Sequence, residues 1–286
     1  MSLDLEFLDS LISGLVYLVA LFLVFLVGKW IYAALHPRVS LREELFEHDN
    51  NAFAFAMVGY YMGLVLAFGK LMLGPSRGLV ADLIDIGLYG LLAIILLNIS
   101  AWLNDKVVLR TFDNQKEILV DRNVGTGVIE AGNFIANGLI IGGAISGEGG
   151  GFVTALAFWA LGQVVLILAG LVYERAVPYD LHAEIERDNV AVGVAFAGVL
   201  IAIGNVVRLG TSGDFYGWTE NLTWFGGTVL VGLLLLPIVR WLSDLVLVPG
   251  AKFEDELTAQ EVPNVGAGAI EAFSYVAASM LINWTF

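Results

Sequence analysis

Polar and apolar residues along this chain do not alternate at the two-residue period of a strand. They segregate into long apolar blocks separated by short charged segments. A helix needs about 20 mostly apolar residues to cross about 30 Å of hydrocarbon at about 1.5 Å per residue. The pattern predicts eight such helices, from Leu11 to Leu35, Ala52 to Leu73, Leu83 to Leu103, Val124 to Ile145, Phe152 to Val172, Val190 to Leu209, Trp224 to Val248 and Val265 to Trp284. The expected fold is therefore all-α, a polytopic bundle of eight transmembrane helices with both termini on one side of a lipid bilayer.

Composition supports this reading. Of 286 residues, 58% are hydrophobic and only 15% charged, and 33 glycines add further apolar backbone. The mean hydropathy of +0.81 excludes a disordered chain and an ordinary soluble enzyme. A net charge of -14 argues against nucleic acid as a partner, because phosphate backbones would be repelled. The absence of cysteine excludes disulfides, thiolate metal sites and cysteine nucleophiles. The N-terminal run Met1, Ser2, Leu3, Asp4, Leu5, Glu6 lacks a basic region, so the first apolar stretch is expected to stay as a membrane helix.

Lys and Arg set orientation. The loops after the first, third, fifth and seventh spans, with the adjoining helix ends, hold 11 of the 14 basic residues, and Lys70, Arg77 and Arg208 fall on the other side. The odd-numbered loops are expected to be cytoplasmic, with both termini outside. Those loops also carry acidic clusters such as Glu184, Glu186 and Asp188.

Self-comparison shows one unit written twice. The segment from Asp49 to Gly59 matches that from Asp188 to Gly198, and the segment from Asn123 to Ala131 matches that from Asn264 to Ala272, at offsets of 139 and 141 residues. Weaker matches pair Tyr32 and Pro37 with Tyr173 and Pro178, and Trp102, Leu103 and Asp105 with Trp241, Leu242 and Asp244. Four spans per unit, an even number, insert both copies with the same polarity. The expected arrangement is two parallel four-helix repeats, residues 1–147 and 148–286, related by a pseudo-two-fold along the membrane normal. Spans four and eight, rich in glycine and alanine, are the expected central contact between them.

An asparagine, then small residues at alternate positions, then Ala-Gly at the start of an even-numbered span, resembles the YjfL-like bacterial inner-membrane family, domain of unknown function 350. The phrases Asp188-Asn189-Val190-Ala191 through Ala197-Gly198 and Asn123-Val124-Gly125-Thr126-Gly127 carry the similarity, and both halves share it. The resemblance implies a tandem copy of a four-span unit. As to partners, it implies only genomic association with phage-shock-type envelope proteins and polyamine-ligase-like enzymes, and no established activity.

Catalytic signatures are missing. The sequence has no phosphate-binding loop, dinucleotide fingerprint, Gly-x-Ser-x-Gly elbow or His-Glu-x-x-His pair, so it calls for no cofactor, no metal and no catalytic residue. His36, His48 and His182 have no metal-ligand spacing and are expected to be solvated. The candidate chemistry is Glu130 and Glu271, each seven residues past an asparagine and so roughly 10 Å inside its helix. A charge at that depth costs at least about 2.5 kcal/mol, which excludes exposure to lipid. Asn133 and Asn137 share the Glu130 face, and Ser274 follows Glu271. Two carboxylates approaching across a pseudo-two-fold could bind a small cation or share a proton. Each could instead be neutral and hydrogen-bonded in its own packing.

Asn50, Asn123, Asn189 and Asn264 open spans, where an asparagine side chain caps the first turn. Asp82 and Asp85 have no acidic counterparts in the second half, and with Lys70 and Arg77 they suggest interfacial ion pairs or an outer cation vestibule. Pro237 falls inside the seventh span, and Trp30, Trp102, Trp218, Trp224, Trp241 and Trp284 fall near helix ends, as an interfacial belt would have them. Two functions follow: transport or conduction of a small cation or proton through the glutamates, or a non-transporting scaffold that recruits a cytoplasmic envelope-stress protein to its acidic loops. Homo-oligomerisation is compatible with either.

Overall fold

The computed structural model describes residues 2–37, 39–69, 71, 76–111, 113–247 and 253–286. Lys70, Arg38, Val248, Lys252 and the side chain of Arg240 lie outside that set. Among the described residues, eight helices are long and apolar enough to cross a membrane: α1 (Ser2–Leu35), α3 (Asn51–Gly69), α4 (Leu79–Val107), α6 (Val124–Ala144), α7 (Phe152–Ala176), α9 (Val190–Thr211), α10 (Trp218–Leu247) and α11 (Val265–Thr285). These are the eight spans expected from the apolar blocks. Three helices of six residues, α2 (Leu41–Phe46), α5 (Asn114–Leu119) and α8 (Leu181–Glu186), join long helices within a repeat, and a π-helical turn at Asp255–Ala259 takes the fourth such place. The hydropathy pattern does not foretell these, because six residues are too few to show a helical period.

The long helices form two layers. The inner layer runs α3, α6, α9, α11, each packed side by side on the next, and the outer layer is α1, α4, α7, α10. Outer helix α4 packs on both α3 and α6, α7 on both α6 and α9, and α10 on both α9 and α11. Inner helices α6 and α9 are the most covered spans, whereas α1 is almost wholly open to lipid. The central contact between repeats is α6 on α9. Spans four and eight do not make it: α9 stands between α6 and α11. Richness in small residues was common to all four inner helices and could not say which pair is central.

All four inner helices start alike. Asn50, Asn123, Asn189 and Asn264 accept a hydrogen bond from the backbone N–H three residues on, at 3.0, 2.8, 3.1 and 3.1 Å. Each Asn Nδ2 donates to a glutamate of the preceding short element, Glu44, Glu117, Glu184 or Glu256. In three copies it also donates to a carbonyl of the next short element: Asn50 to Ile118, Asn123 to Ile185 and Asn189 to Leu257, at 2.7 to 2.9 Å. The asparagines thus stitch four equivalent units edge to edge. Each repeat is itself two copies of an outer helix, a short element and a capped inner helix, and the inner helices all run parallel.

The residue before the cap takes the left-handed conformation in those three copies, with φ of 47° at Asp49, 54° at Arg122 and 59° at Asp188. Aspartate tolerates this region and arginine pays for it. The fourth copy has Pro263, whose ring fixes φ near about -65°, and there the link from short element to cap is longer.

Glycine sets the spacing of the inner layer. A Cβ at Gly132 would stand 2.7 Å from the Cα of Ala197, and one at Gly204 2.6 Å from that of Ala136, so neither site admits a side chain without moving a helix. Lipid provides no hydrophobic drive for helices to associate, and close backbone approach provides it instead. The six tryptophans near helix ends are exposed, as an interfacial belt requires, and Pro237 falls inside α10.

Replacing the buried Asn123 by alanine removes the cap and two donated hydrogen bonds. The expected loss is about 2 kcal/mol, against about 1 kcal/mol for Asn264→Ala, which lacks the inter-unit bond. Thermal unfolding of the two variants in detergent checks the order, with the lower midpoint expected for Asn123→Ala.

Candidate functional site

Helix α6 carries the polar face of the membrane interior. Thr126, Glu130, Asn133 and Asn137 are all buried. Asn137 Nδ2 donates to the carbonyl and Oδ1 of Asn133, at 2.9 and 2.8 Å, and its Oδ1 accepts from Gln163 Nε2 of α7 at 2.7 Å. Further along α7, Trp159 Nε1 donates to Ser100 Oγ of α4 at 2.9 Å. These bonds hold α6, α7 and α4 together through polar atoms that lipid cannot satisfy.

Glu130 adjoins that network through Asn133, one turn along α6. Only 7% of it is exposed, and its Oε2 accepts no hydrogen bond. It lines a cavity of about 450 Å³ between α1, α3, α4, α5 and α6, whose other polar walls include Tyr32, His36, Asn98, Asp105, Asn114 and Gln115. Asn114 Nδ2 donates to Asp105 Oδ1 at 2.6 Å, which orients that carboxylate. Asn98 is held by its own helix through the Ile94 carbonyl at 2.7 Å and reaches the Tyr60 hydroxyl at 3.3 Å. Because Asp105, His36 and Asn114 belong to the asparagine-capped end, the cavity joins that end to Glu130. Two carboxylates within electrostatic reach of each other in one partly apolar pocket favour a bound cation or a shared proton.

Glu271 is not among the residues that line this cavity. It is 2% exposed and within electrostatic reach of Tyr173 of its own repeat, as Glu130 is of Tyr32. The surroundings differ. Tyr173 stacks on Phe196 at 5.4 Å between ring centres and meets Tyr275 edge-on at 6.3 Å, so rings fill the space. The counterparts of His36 and Asn98 are Val177 and Pro237, at the repeat offsets of 141 and 139. Ser274 Oγ donates to its own helix at the Ile270 carbonyl, 2.9 Å away. The structure therefore brings Glu130, Asn133 and Asn137 onto one buried face and sets Glu271 and Ser274 in separate packing. The cap asparagines Asn50, Asn123 and Asn189 are engaged in the stitching described above, and Asn264 in its own cap and the Glu256 bond.

Sequence reasoning missed Gln163, Asn98 and Asn114, which lie on different elements and carry no shared spacing. Tyr32 and Asp105 recurred between the halves, and that recurrence was their signal. His182 departs from expectation as well: it is buried, with Nε2 3.4 Å from Glu174, which also takes both terminal nitrogens of Arg110. The charges of a loop, drawn across a junction between repeats, became half-covered packing.

At the opposite end, Arg77 pairs with Asp85, and Asp82 accepts from Tyr17 and Ser76, both at 2.6 Å. Asp85 beside Arg77 holds its guanidinium above the usual arginine range. Arg77, Asp82, Asp85, Glu148 and Asp214 surround a second cavity of about 610 Å³. Ion pair and acidic recess are thus present together. Among the described residues no group of three or more His, Asp or Glu is placed to hold a metal ion.

With that geometry in view, the family described as Domain of Unknown Function (DUF350) matches the chain twice, over residues 6–145 and 149–286. No curated protein and no solved structure matches.

The cysteine-free chain allows a direct test of access. A cysteine at Asn98, on the cavity wall, is expected to react with a water-soluble maleimide, and one at Ala93, fully buried in the same helix, is not. Equal protection of both sites, read by mass spectrometry, would show that water does not enter.

Proposed function

The chain belongs to the DUF350 family as a tandem copy, and from the geometry of its first repeat we propose that it binds and moves a small cation or proton at Glu130. One observation carries this: a buried carboxylate oxygen without a hydrogen-bond partner on the wall of a cavity that also holds Asp105. A bare charge there costs several kcal/mol, and a proton or cation removes that cost. Natural packing rarely leaves such an acceptor unsatisfied without a use for it. Asn133 and Asn137 supply neutral oxygens on the same face as polar support, and Ser274 with Glu271 forms the second, more closely packed copy. The basic-residue bias supports placing the capped end in the cytoplasm of a bacterial inner membrane, with both termini outside. In that orientation Asp105 lies on the cytoplasmic approach to Glu130.

The two glutamates are not equivalent in this reading. Glu130 works from an open cavity, while Glu271 sits among rings. In liposomes loaded with a pH- or cation-sensitive dye, Glu130→Gln is expected to lower flux by about tenfold or more, a change that about 1.4 kcal/mol produces. Glu271→Gln is expected to change it much less. Unchanged flux in a folded Glu130→Gln protein would remove the proposal and leave the rival one, a scaffold whose acidic loops recruit a cytoplasmic envelope-stress partner.

A further inference from the structure

The inner layer is built by repeating one asymmetric contact, and its two free edges lack the residues that make the contact possible. Counting from each cap asparagine, the leading helix offers small residues at the second, ninth and thirteenth positions: Ala52, Gly59 and Gly63 on α3, Gly125, Gly132 and Ala136 on α6, Ala191, Gly198 and Ala202 on α9. The following helix answers with the fourth, eighth and fifteenth: Gly127, Ala131 and Gly138 on α6, Gly193, Ala197 and Gly204 on α9, Gly268, Ala272 and Ser279 on α11. The same pairs meet each time. Gly59 faces Ala131, Gly132 faces Ala197 and Gly198 faces Ala272; Gly127 faces Ala52, Gly193 faces Gly125 and Gly268 faces Ala191. In the second family of contacts a Cβ at Gly193 would come within 2.7 Å of the Gly125 carbonyl oxygen.

A contact of this kind is heterologous, so identical edges would go on adding copies into a ring or an open array. The leading edge of α11 and the following edge of α3 are the two places where a second chain would continue it. Near the capped end Gly266 keeps the small residue of a leader, but Ala54 carries a Cβ where the other followers have glycine with no room for one, and Asn264 is exposed, without the inter-unit bond the other three caps make. Leu45 holds the place in α2 that Ile118, Ile185 and Leu257 hold in the other units, and none of the four cap asparagines donates to it. Deeper in the bilayer the pattern breaks. Phe273 stands where α3, α6 and α9 have glycine, and Val58 and Val65 stand where the other followers have alanine, glycine or serine. All three are exposed, at 59, 60 and 54%.

We infer that Phe273, Val58 and Val65 are edge stops that end the inner layer at four helices and keep a second copy of the chain from extending it. Rotamers do not relieve the obstruction, because the leading ninth position has no room even for a Cβ. Lipid gives no compensating hydrophobic drive, so helices that cannot approach closely stay apart. The stitching asparagine alone, one bond at the membrane surface, is worth too little to hold two chains together.

Removing the stops should create the assembly. Reporter cysteines at Asn264 and Leu45, whose equivalents are hydrogen-bonded across each of the other contacts, in a chain that has none of its own, cross-link two copies only when α11 of one lies beside α2 and α3 of the other. In proteoliposomes at fixed protein density, the reporter chain with Ala54→Gly, Phe273→Gly, Val58→Ala and Val65→Gly is expected to give about tenfold more disulfide-linked species than the reporter chain alone. A control variant, Phe273→Ala with Val58→Ala, keeps a Cβ at the leading ninth position and should show no rise, and a circular-dichroism melt shows that each variant is folded. Cross-linking of the unmodified edges as readily as the variant edges would overturn the inference, and so would a folded variant with all four changes that stays unlinked.

Discussion

Backbone-to-backbone contact among α3, α6, α9 and α11 is the constraint on which the rest depends. Helices in lipid gain nothing from burying leucine against leucine, so association comes from close van der Waals approach and from polar bonds. This chain uses both in separate strata. Glycine and alanine bring the inner helices together through the bilayer, and the cap asparagines tie their starts at one surface. Outer helices then fall into the grooves of the inner layer, and their aromatic and polar residues decide what fills the space between.

Tight inner spacing is also what makes a carboxylate tolerable at Glu130. With its small residues directed sideways into the layer, α6 has one face left for polar groups, directed at the outer helices. In the first repeat that face meets an incompletely filled space edged by Asp105 and Asn114; in the second the equivalent helix meets Tyr173 and Phe196. Duplication supplied two similar frames, and substitution of a few outer-layer positions left one open and the other packed. A function that needs one ionic site can be carried on a repeat whose twin contributes mainly rigidity.

Much of this was legible from the residues. Eight apolar blocks gave eight membrane helices, and paired motifs at nearly constant spacing gave a tandem copy with parallel halves. The four span-opening asparagines were readable as caps because capping is a local interaction, settled within one turn. What escaped was long-range. Nothing in the one-dimensional pattern says that Asn123 reaches Ile185 or that Gln163 reaches Asn137, since those partners lie 62 and 26 residues away. The expectation that spans four and eight would meet failed for the same reason: glycine shows that a helix packs closely and not which neighbour it packs on. Finally, the second level of repetition, two helical pairs within each half, is blurred in sequence because outer helices face lipid and need only be apolar.

The central claim is that Glu130 changes its ionic state in use. Infrared difference spectroscopy of the protein in lipid, comparing parent and Glu130→Gln, reads this at the carboxyl group itself. The account predicts a carboxylic-acid band that gives way to a carboxylate band on adding a permeant cation or on withdrawing protons, and that is missing from the variant. A parent spectrum in which no carboxyl band assignable to Glu130 responds to either would contradict it and reduce this residue to a fixed part of the packing.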